Sequence, residues 1–192
     1  MKKILIKVYI WNCRPGHSFG HASLSLSDGT YISWWPTSDS YLIGKAFGTT
    51  GSYTGSLEED IRLQEDRQAD AVFPLTRFVD EDAIRRWWSS FKTGSSYSGI
   101  NQNCCRVVFL ALMEGSALQL FPEDEKRIWA DVYVWRQNNL QDFLKDLSRH
   151  IKEHEERVME RFICSICLIV LVGLLGLVLS KLLKFINGFF SS

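Results

Sequence analysis

Apolar and polar residues alternate along the first part of the chain in a pattern that predicts a β-hairpin. The segment Ile4–Trp11 alternates with a period of two residues, which is typical of a strand with one buried face. The segment His21–Ser27 repeats this pattern, and Asp28 and Gly29 form a turn signal before a third apolar segment, Thr30–Trp35. We therefore expect antiparallel strands joined by a tight turn.

Helical periodicity and capping residues predict three helices and two short strands after the hairpin. Residues 37–56 are rich in Ser, Gly, Thr and Tyr and are typical of a surface loop. Strands followed by helices indicate an α+β fold, with an antiparallel sheet packed against helices. The predicted elements are a polar helix from Ser56 to about Ala69, a strand Ala71–Leu75, a helix capped by Asp80 and running to Phe91, a helix from about Cys104 to Glu114, and a strand Asp131–Trp135.

A long apolar segment near the C-terminus, Phe162–Ser180, predicts a transmembrane helix. It contains no charged residue, and about 19 helical residues at ~1.5 Å each span roughly 28 Å, close to the ~30 Å thickness of a bilayer core. Arg161 and Lys181 bound it, as is usual at the ends of a membrane span. The N-terminal apolar run is interrupted by Lys7 and has no cleavage site, so we expect a C-terminal tail anchor and no signal peptide.

More basic residues precede this span than follow it, which predicts a cytosolic soluble domain. The segment before the span is highly charged, and its near-heptad apolar stripe suits packing on the domain or on a partner helix. The predicted organisation is a globular domain over residues 1–137, a juxtamembrane amphipathic helix over 138–161, a transmembrane helix over 162–180 and a short tail over 181–192.

Composition narrows the function classes. The 192 residues carry a formal net charge of zero, unlike the basic balance of a nucleic-acid-binding protein. Five cysteines, two of them inside the predicted span, argue against a disulfide framework and indicate a reducing compartment. His17 and His21 lie near Cys13, but the glycines and proline around them argue against a helix that would bring them together on zinc. We expect no metal site, and the sequence indicates no cofactor.

Two residues carry the candidate chemistry, His21 on a strand and Cys104 at the start of a helix that Asn103 would cap. A helix N-terminus favours a thiolate over a thiol. If the strand and the helix pack together, the imidazole can take the thiol proton, as in an activated thiol nucleophile. Cys105 is the alternative nucleophile, but it lies about 100° around the helix, so both sulfurs cannot face the imidazole.

Ser33 is the candidate for a third residue that orients His21, and the hairpin turn decides whether it can. A two-residue turn at Asp28 and Gly29 would place Ser33 on the face opposite His21. A three-residue loop with Gly29 in the left-handed conformation of a bulge would instead pair Ser23 with Ser33, diagonal to His21. We favour the bulged loop.

The stretches GHASLSLSDGTYISWWP and NCCRVVFLALMEG, about 70 residues apart, resemble the circularly permuted branch of the NlpC-type papain-like fold. The best-known members are the lecithin–retinol acyltransferase group and its small phospholipid acyltransferases, often held to membranes by a C-terminal hydrophobic helix. The resemblance covers roughly residues 3–118 and implies that His21 is the base and Cys104 the nucleophile. Ser33 stands where that group has a second histidine, and the residues after Cys104 differ from the family's polar and aromatic ones.

Together these features predict a tail-anchored cysteine hydrolase or acyltransferase that works through a thioester, with a phospholipid acyl ester as the favoured substrate by analogy. Two alternatives stay open: a thiol peptidase or amidase of the same fold, and a non-enzymatic membrane interaction module. The expected partners are a lipid bilayer, an acyl-lipid or peptide substrate and, through residues 138–161, a helical protein; no nucleic acid is expected.

Overall fold

The structure, a computed structural model, describes residues 6–15, 20–37, 49–75 and 79–189 of the chain. It falls into two units, of which the first ends at Ile151 and the second begins at Lys152. The first two residues of the predicted strand Ile4–Trp11 and the histidine at position 17 lie outside the described residues, as do the last three residues of the predicted tail.

The first unit is an α+β domain built on an antiparallel sheet of six strands, which confirms the predicted fold class at this level. Its strands are β1 (Ile6–Trp11), β2 (His21–Ser25), β3 (Tyr31–Pro36), β4 (Thr49–Tyr53), β5 (Ala71–Leu75) and β6 (Ser96–Tyr97). They lie in the order β5-β1-β2-β3-β4-β6, and every neighbouring pair is antiparallel.

The helices follow the strands of the hairpin along the chain. They are α1 (Leu57–Leu63), α2 (Glu81–Gly94), α3 (Cys104–Glu114), a 3-10 helix (Ala117–Leu120), α4 (Glu123–Ala130) and α5 (Gln137–Phe189). Two caps that the sequence predicts are present: the Asp80 side chain accepts the N–H of Ala83, and the Asn103 side chain accepts the N–H of Arg106. These bonds satisfy donors that a helix start otherwise leaves without partners, so they define where α2 and α3 begin.

The turn between β2 and β3 has the bulged geometry favoured from the sequence. The N–H of Leu26 donates to the carbonyl of Thr30 at 2.8 Å, which closes a three-residue loop. Gly29 has φ +94°, in the left-handed region that favours glycine. Ser23 lies opposite Ser33 in the ladder, so the predicted register is confirmed.

One face of the sheet forms the core with α3. Val8, Leu24 and Ile32 lie side by side across β1, β2 and β3, and all three are fully buried. Helix α3 packs against β2 and β3, because its inner positions carry apolar residues such as Val107 and Val108. The alternation of the strands therefore directs one set of side chains to α3 and leaves Ser23 and Ser33 on the other face. His21 belongs to this second set but is the first residue of β2, so it lies at the strand end, where Cys104 at the start of α3 reaches it.

Three expectations drawn from the sequence are wrong in detail. Residues 38–48 of the predicted loop over residues 37–56 lie outside the described residues, but its end forms β4. The small polar residues of β4 hide the strand pattern, and its Gly51 lies directly against the Trp34 ring. Residues 131–135 are not a strand but a turn and bend between α4 and α5, and the Trp135 ring stacks on Phe109 of α3. Helix α1 ends at Leu63 because the chain turns into left-handed conformations at residues 65 and 66.

Helix α5 contains both of the predicted C-terminal helical segments. Its first turns belong to the core of the first unit, which therefore continues past residue 137 to Ile151. Farther along, Val158 is exposed. Between Gln137 and Lys181 this helix includes one stretch long and apolar enough to cross a membrane, and none of that stretch is buried. The core residues of α5 are Leu140, Phe143, Leu144, Leu147 and Ile151.

Candidate active site

His21 is the first residue of β2 and is held between two indole rings. Its ring stacks on Trp35 with a centroid distance of 4.0 Å, and the Trp11 ring lies at 5.6 Å. Gly20 precedes it with φ +74°, and a Cβ atom there would lie 2.5 Å from the carbonyl oxygen of Trp11. Only glycine fits this entry to the strand, so the backbone and the two rings together define the position of the imidazole.

Cys104 is the first residue of α3. The capping residue of this helix, Asn103, fastens the start of the helix to the rest of the domain. The Asn103 side chain accepts the N–H of Arg106 at 2.9 Å, while its amide nitrogen donates to the carbonyls of Gly99 at 3.0 Å and Trp135 at 2.8 Å. All the polar atoms of this side chain are therefore used in orienting the helix start.

The predicted base and nucleophile lie side by side, close enough for each to shift the pKa of the other. The Cys104 sulfur interacts with the His21 side chain and with the backbone N–H of Ala22. Since Nε2 of His21 lies 2.9 Å from Ser33 Oγ and 3.1 Å from a carboxylate oxygen of Asp60, it is Nδ1 that is left to face the sulfur. The ladder between β2 and β3 begins at Ser23, one residue after Ala22. The N–H of Ala22 therefore lies outside this ladder and can donate to the Cys104 sulfur.

The electrostatics of the site favour an imidazolium beside a thiolate. Burial alone would lower the pKa of His21, but the charges of Asp60 and Cys104 and the hydrogen bonds to them raise this pKa to about 9. A hydrogen bond from Cys105 makes the largest contribution to the low pKa of Cys104. The charge and hydrogen bond of His21 and the N–H of Ala22 act in the same direction, and together they outweigh burial.

The two adjacent cysteines have different surroundings. Cys104 lies beside His21, whereas Cys105 lies beside the Cys104 sulfur, to which its thiol can donate a hydrogen bond. That bond and burial raise the pKa of Cys105, which stays a neutral thiol. Of the pair, Cys104 therefore has the surroundings of an activated nucleophile.

Ser33 also lies in the site, as the bulged register requires. Its hydroxyl donates to Asp60 Oδ1 at 2.8 Å and accepts the indole N–H of Trp35 at 2.9 Å. The structure thus brings together all three residues singled out from the sequence, Cys104, His21 and Ser33. It adds a fourth, Asp60, that sequence reasoning missed.

Asp60 lies on α1 with no exposed surface, beneath the face of the sheet that carries His21. Helical spacing places it on one side of α1 with Leu57, Ile61 and Gln64. A carboxylate on the inner side of a short amphipathic helix is the signal that could have identified it, because aspartate is almost never fully buried without a partner.

Neighbouring polar groups hold the Asp60 carboxylate in its charged form. The charge of His21 and hydrogen bonds from His21, Thr54 and Tyr31 outweigh burial, so the pKa of Asp60 is well below its usual range. Burial and the Asp60 charge raise the pKa of Tyr31, which stays a neutral donor. The site therefore contains a buried row of carboxylate, imidazole and thiol.

Comparisons with family models, with curated proteins and with solved structures find no match for this chain. Within the described part of the chain, no group of His, Cys, Asp and Glu side chains has the arrangement to hold a metal ion. The side chains of the site place a thiol nucleophile next to a group that can accept and donate a proton.

Proposed function

We propose that this protein is a membrane-anchored, cysteine-dependent acyl hydrolase or acyltransferase that works through a thioester. The observation that carries the proposal is the placement of Cys104, at the start of α3, beside the buried imidazole of His21, whose Nε2 contacts Ser33 and Asp60. In this pair the pKa of the thiol is lowered and the pKa of the imidazole is raised. Such a pair supplies both the nucleophile and the proton that acyl transfer requires.

The reaction has two halves. In the first, the Cys104 thiolate attacks the carbonyl carbon of an ester, the C–S bond forms, and the C–O bond to the leaving group breaks. The His21 imidazolium gives its proton to the departing alkoxide. In the second half, His21 removes a proton from water or from an acceptor hydroxyl or amine, which attacks the thioester and releases Cys104. We assign stabilisation of the carbonyl oxygen to the free backbone amides at the start of α3.

A permuted papain-like arrangement is part of this proposal. The strand that carries His21 precedes the helix that carries Cys104, in the order expected from the resemblance, and α3 packs on an antiparallel sheet. Ser33, at the position of the family's second histidine, contacts Nε2 of His21. These features support the roles that the resemblance implies, with the Cys104 thiol as nucleophile and the His21 imidazole as base.

We propose a phospholipid acyl ester as the substrate and the cytosol as the compartment of the first unit. The apolar stretch of α5 supports the first point, because a tether in the bilayer keeps the site close to lipid. The excess of basic residues before this stretch over those after it supports the second.

Intact-mass spectrometry of the full chain in phosphatidylcholine nanodiscs tests the function. We expect an acyl adduct on Cys104 and release of free fatty acid, both lost in Cys104→Ala and retained in Cys105→Ala, its matched neighbour. Adducts from amide or peptide substrates but not from lipid would establish the peptidase or amidase alternative. No adduct from either class, with folding verified by circular dichroism, would leave the membrane interaction module.

A further inference from the structure

The Asp60 carboxylate is the meeting point of an unusually large set of hydrogen-bond donors. Its Oδ1 atom accepts from Thr54 Oγ1 at 2.7 Å and from Ser33 Oγ at 2.8 Å, together with the indole N–H of Trp35 at 2.9 Å. Its Oδ2 atom accepts from the Tyr31 hydroxyl at 2.7 Å and lies 3.1 Å from Nε2 of His21. This carboxylate cannot rotate without breaking several of these bonds at once.

Within the described residues, the Asp60 carboxylate forms an ion pair with the imidazole of His21. Both side chains are buried, with 0% and 1% exposure, so neither charge can be solvated by water. A buried ion is expensive unless it is paired. The pair therefore stabilises the protonated form of His21, and the protonated form of His21 in turn stabilises a thiolate at Cys104.

Ser33 cannot carry this role, because its hydroxyl has a single proton. That proton goes to Asp60 Oδ1, and the oxygen accepts from Trp35, so towards His21 the hydroxyl can only accept. Nε2 of His21 must then be the protonated nitrogen that donates to Ser33 and Asp60. Ser33 completes the polar contacts of Nε2 and contributes no charge.

We propose that Asp60 on α1, and not Ser33 on β3, is the third functional residue of the site. It acts as a positioning residue: it holds His21 with Nε2 protonated and Nδ1 turned towards Cys104, and it supplies the negative charge that keeps the imidazole protonated. The charge that orients the base thus comes from a helix outside the central strands. This inference rests on the proposed function, but it concerns the state of the thiol and can be tested without substrate.

Other titratable groups face the same centre. Tyr31 of β3 donates to Asp60 and is neutral, and Cys105 of α3 lies beside Cys104 and is neutral. On the β1 side the neighbour of His21 is the indole of Trp11, which does not titrate. Asp60, His21 and Cys104 are therefore the three groups whose charges determine how the thiol responds to pH.

Asp60→Asn is the decisive variant, because asparagine replaces one of the two acceptor oxygens of the carboxylate by an NH₂ group, which can only donate. Its carbonyl oxygen is needed by Trp35, so its NH₂ group turns towards His21 and requires an unprotonated Nε2. The proton then sits on Nδ1, which can no longer accept one from Cys104. Ser33→Ala is the matched control, since it removes a contact of the same nitrogen and leaves the carboxylate.

The measurement is the pH dependence of Cys104 alkylation by iodoacetamide on the full chain in detergent, located by tandem mass spectrometry. We expect Asp60→Asn to move the pH midpoint up towards that of an ordinary thiol, about 8.5, so that alkylation at pH 6 falls roughly a hundredfold. Ser33→Ala should keep the midpoint within about half a unit of the wild type. An unchanged midpoint in Asp60→Asn, or an equal shift in Ser33→Ala, would overturn the assignment.

A second measurement does not depend on the folding of Asp60→Asn. In a Cys104→Ala protein labelled with ¹⁵N-histidine, the His21 ring should carry its proton on Nε2 at pH 8, because Asp60 and Ser33 both accept there. A ring with its only proton on Nδ1 would refute the inference. An ordinary thiol midpoint in the wild type, with no acyl adduct, would instead remove the proposed function itself.

Discussion

Replacing Phe143 by alanine tests whether the start of α5 is part of the domain that holds the active site. Phe143 is fully buried, and four aromatic rings surround it, with centroids at 5.0 Å for Phe109, 5.5 Å for Trp129, 5.7 Å for Phe121 and 6.0 Å for Trp135. Truncating a buried phenylalanine costs about 3–5 kcal/mol, because it removes apolar contacts and leaves a cavity. For a domain of this size, that loss lowers the melting temperature by roughly 10 °C.

The assay is thermal unfolding of the full chain in detergent, followed by near-ultraviolet circular dichroism of the aromatic cluster. Val158→Ala is the control, since Val158 lies on the same helix and its side chain is 51% exposed. We expect it to change the melting temperature by no more than about 2 °C, as surface substitutions do. Equal shifts in the two variants, or a shift below about 3 °C for Phe143→Ala, would refute the view that α5 begins inside the core.

Three further predictions follow from single contacts. Gly51→Ala places a Cβ 1.8 Å from the Trp34 ring and should cost about 1–3 kcal/mol in urea denaturation. The pKa of Asp60 is lower in the folded state, so the stability that its charge contributes is present above about pH 4 and is lost as the pH falls. In Asp60→Asn the free energy of unfolding should therefore depend less on pH below about pH 4. Cys105→Ala removes the neighbouring thiol that contributes most to the low pKa of Cys104, so the pKa of Cys104 should rise and its alkylation should fall more at pH 6 than at pH 9.

Much of the local structure could be predicted because the responsible interactions lie within a few residues. Strand β5 was predicted with its observed bounds. The caps at Asp80 and Asn103 define helix starts through hydrogen bonds between residues three apart in the sequence. Gly29 is the most informative single residue, since its left-handed conformation determines the register that puts Ser33 beside His21. The relative placement of His21 on β2 and Ser33 on β3 therefore follows from this one turn.

Elements that depend on distant partners could not be predicted in the same way. Strand β4 lacks any apolar alternation and exists because it pairs with β3. The burial of Asp60 depends on donors from Tyr31, Ser33 and Thr54, which its own helix does not contain. The extent of the first unit depends on aromatic rings from α3 and α4 that cover the start of α5.

The sequence by itself determined the α+β class, the bulged hairpin, the capped helix start at Cys104 and the apolar stretch of α5, because periodicity, glycine conformation and capping are local properties. Tertiary structure alone decided which sulfur faces His21, which nitrogen of the imidazole faces that sulfur, and which carboxylate lies behind it. Charges separated by long stretches of chain acquire their pKa values only when folding removes water and brings them within hydrogen-bond distance.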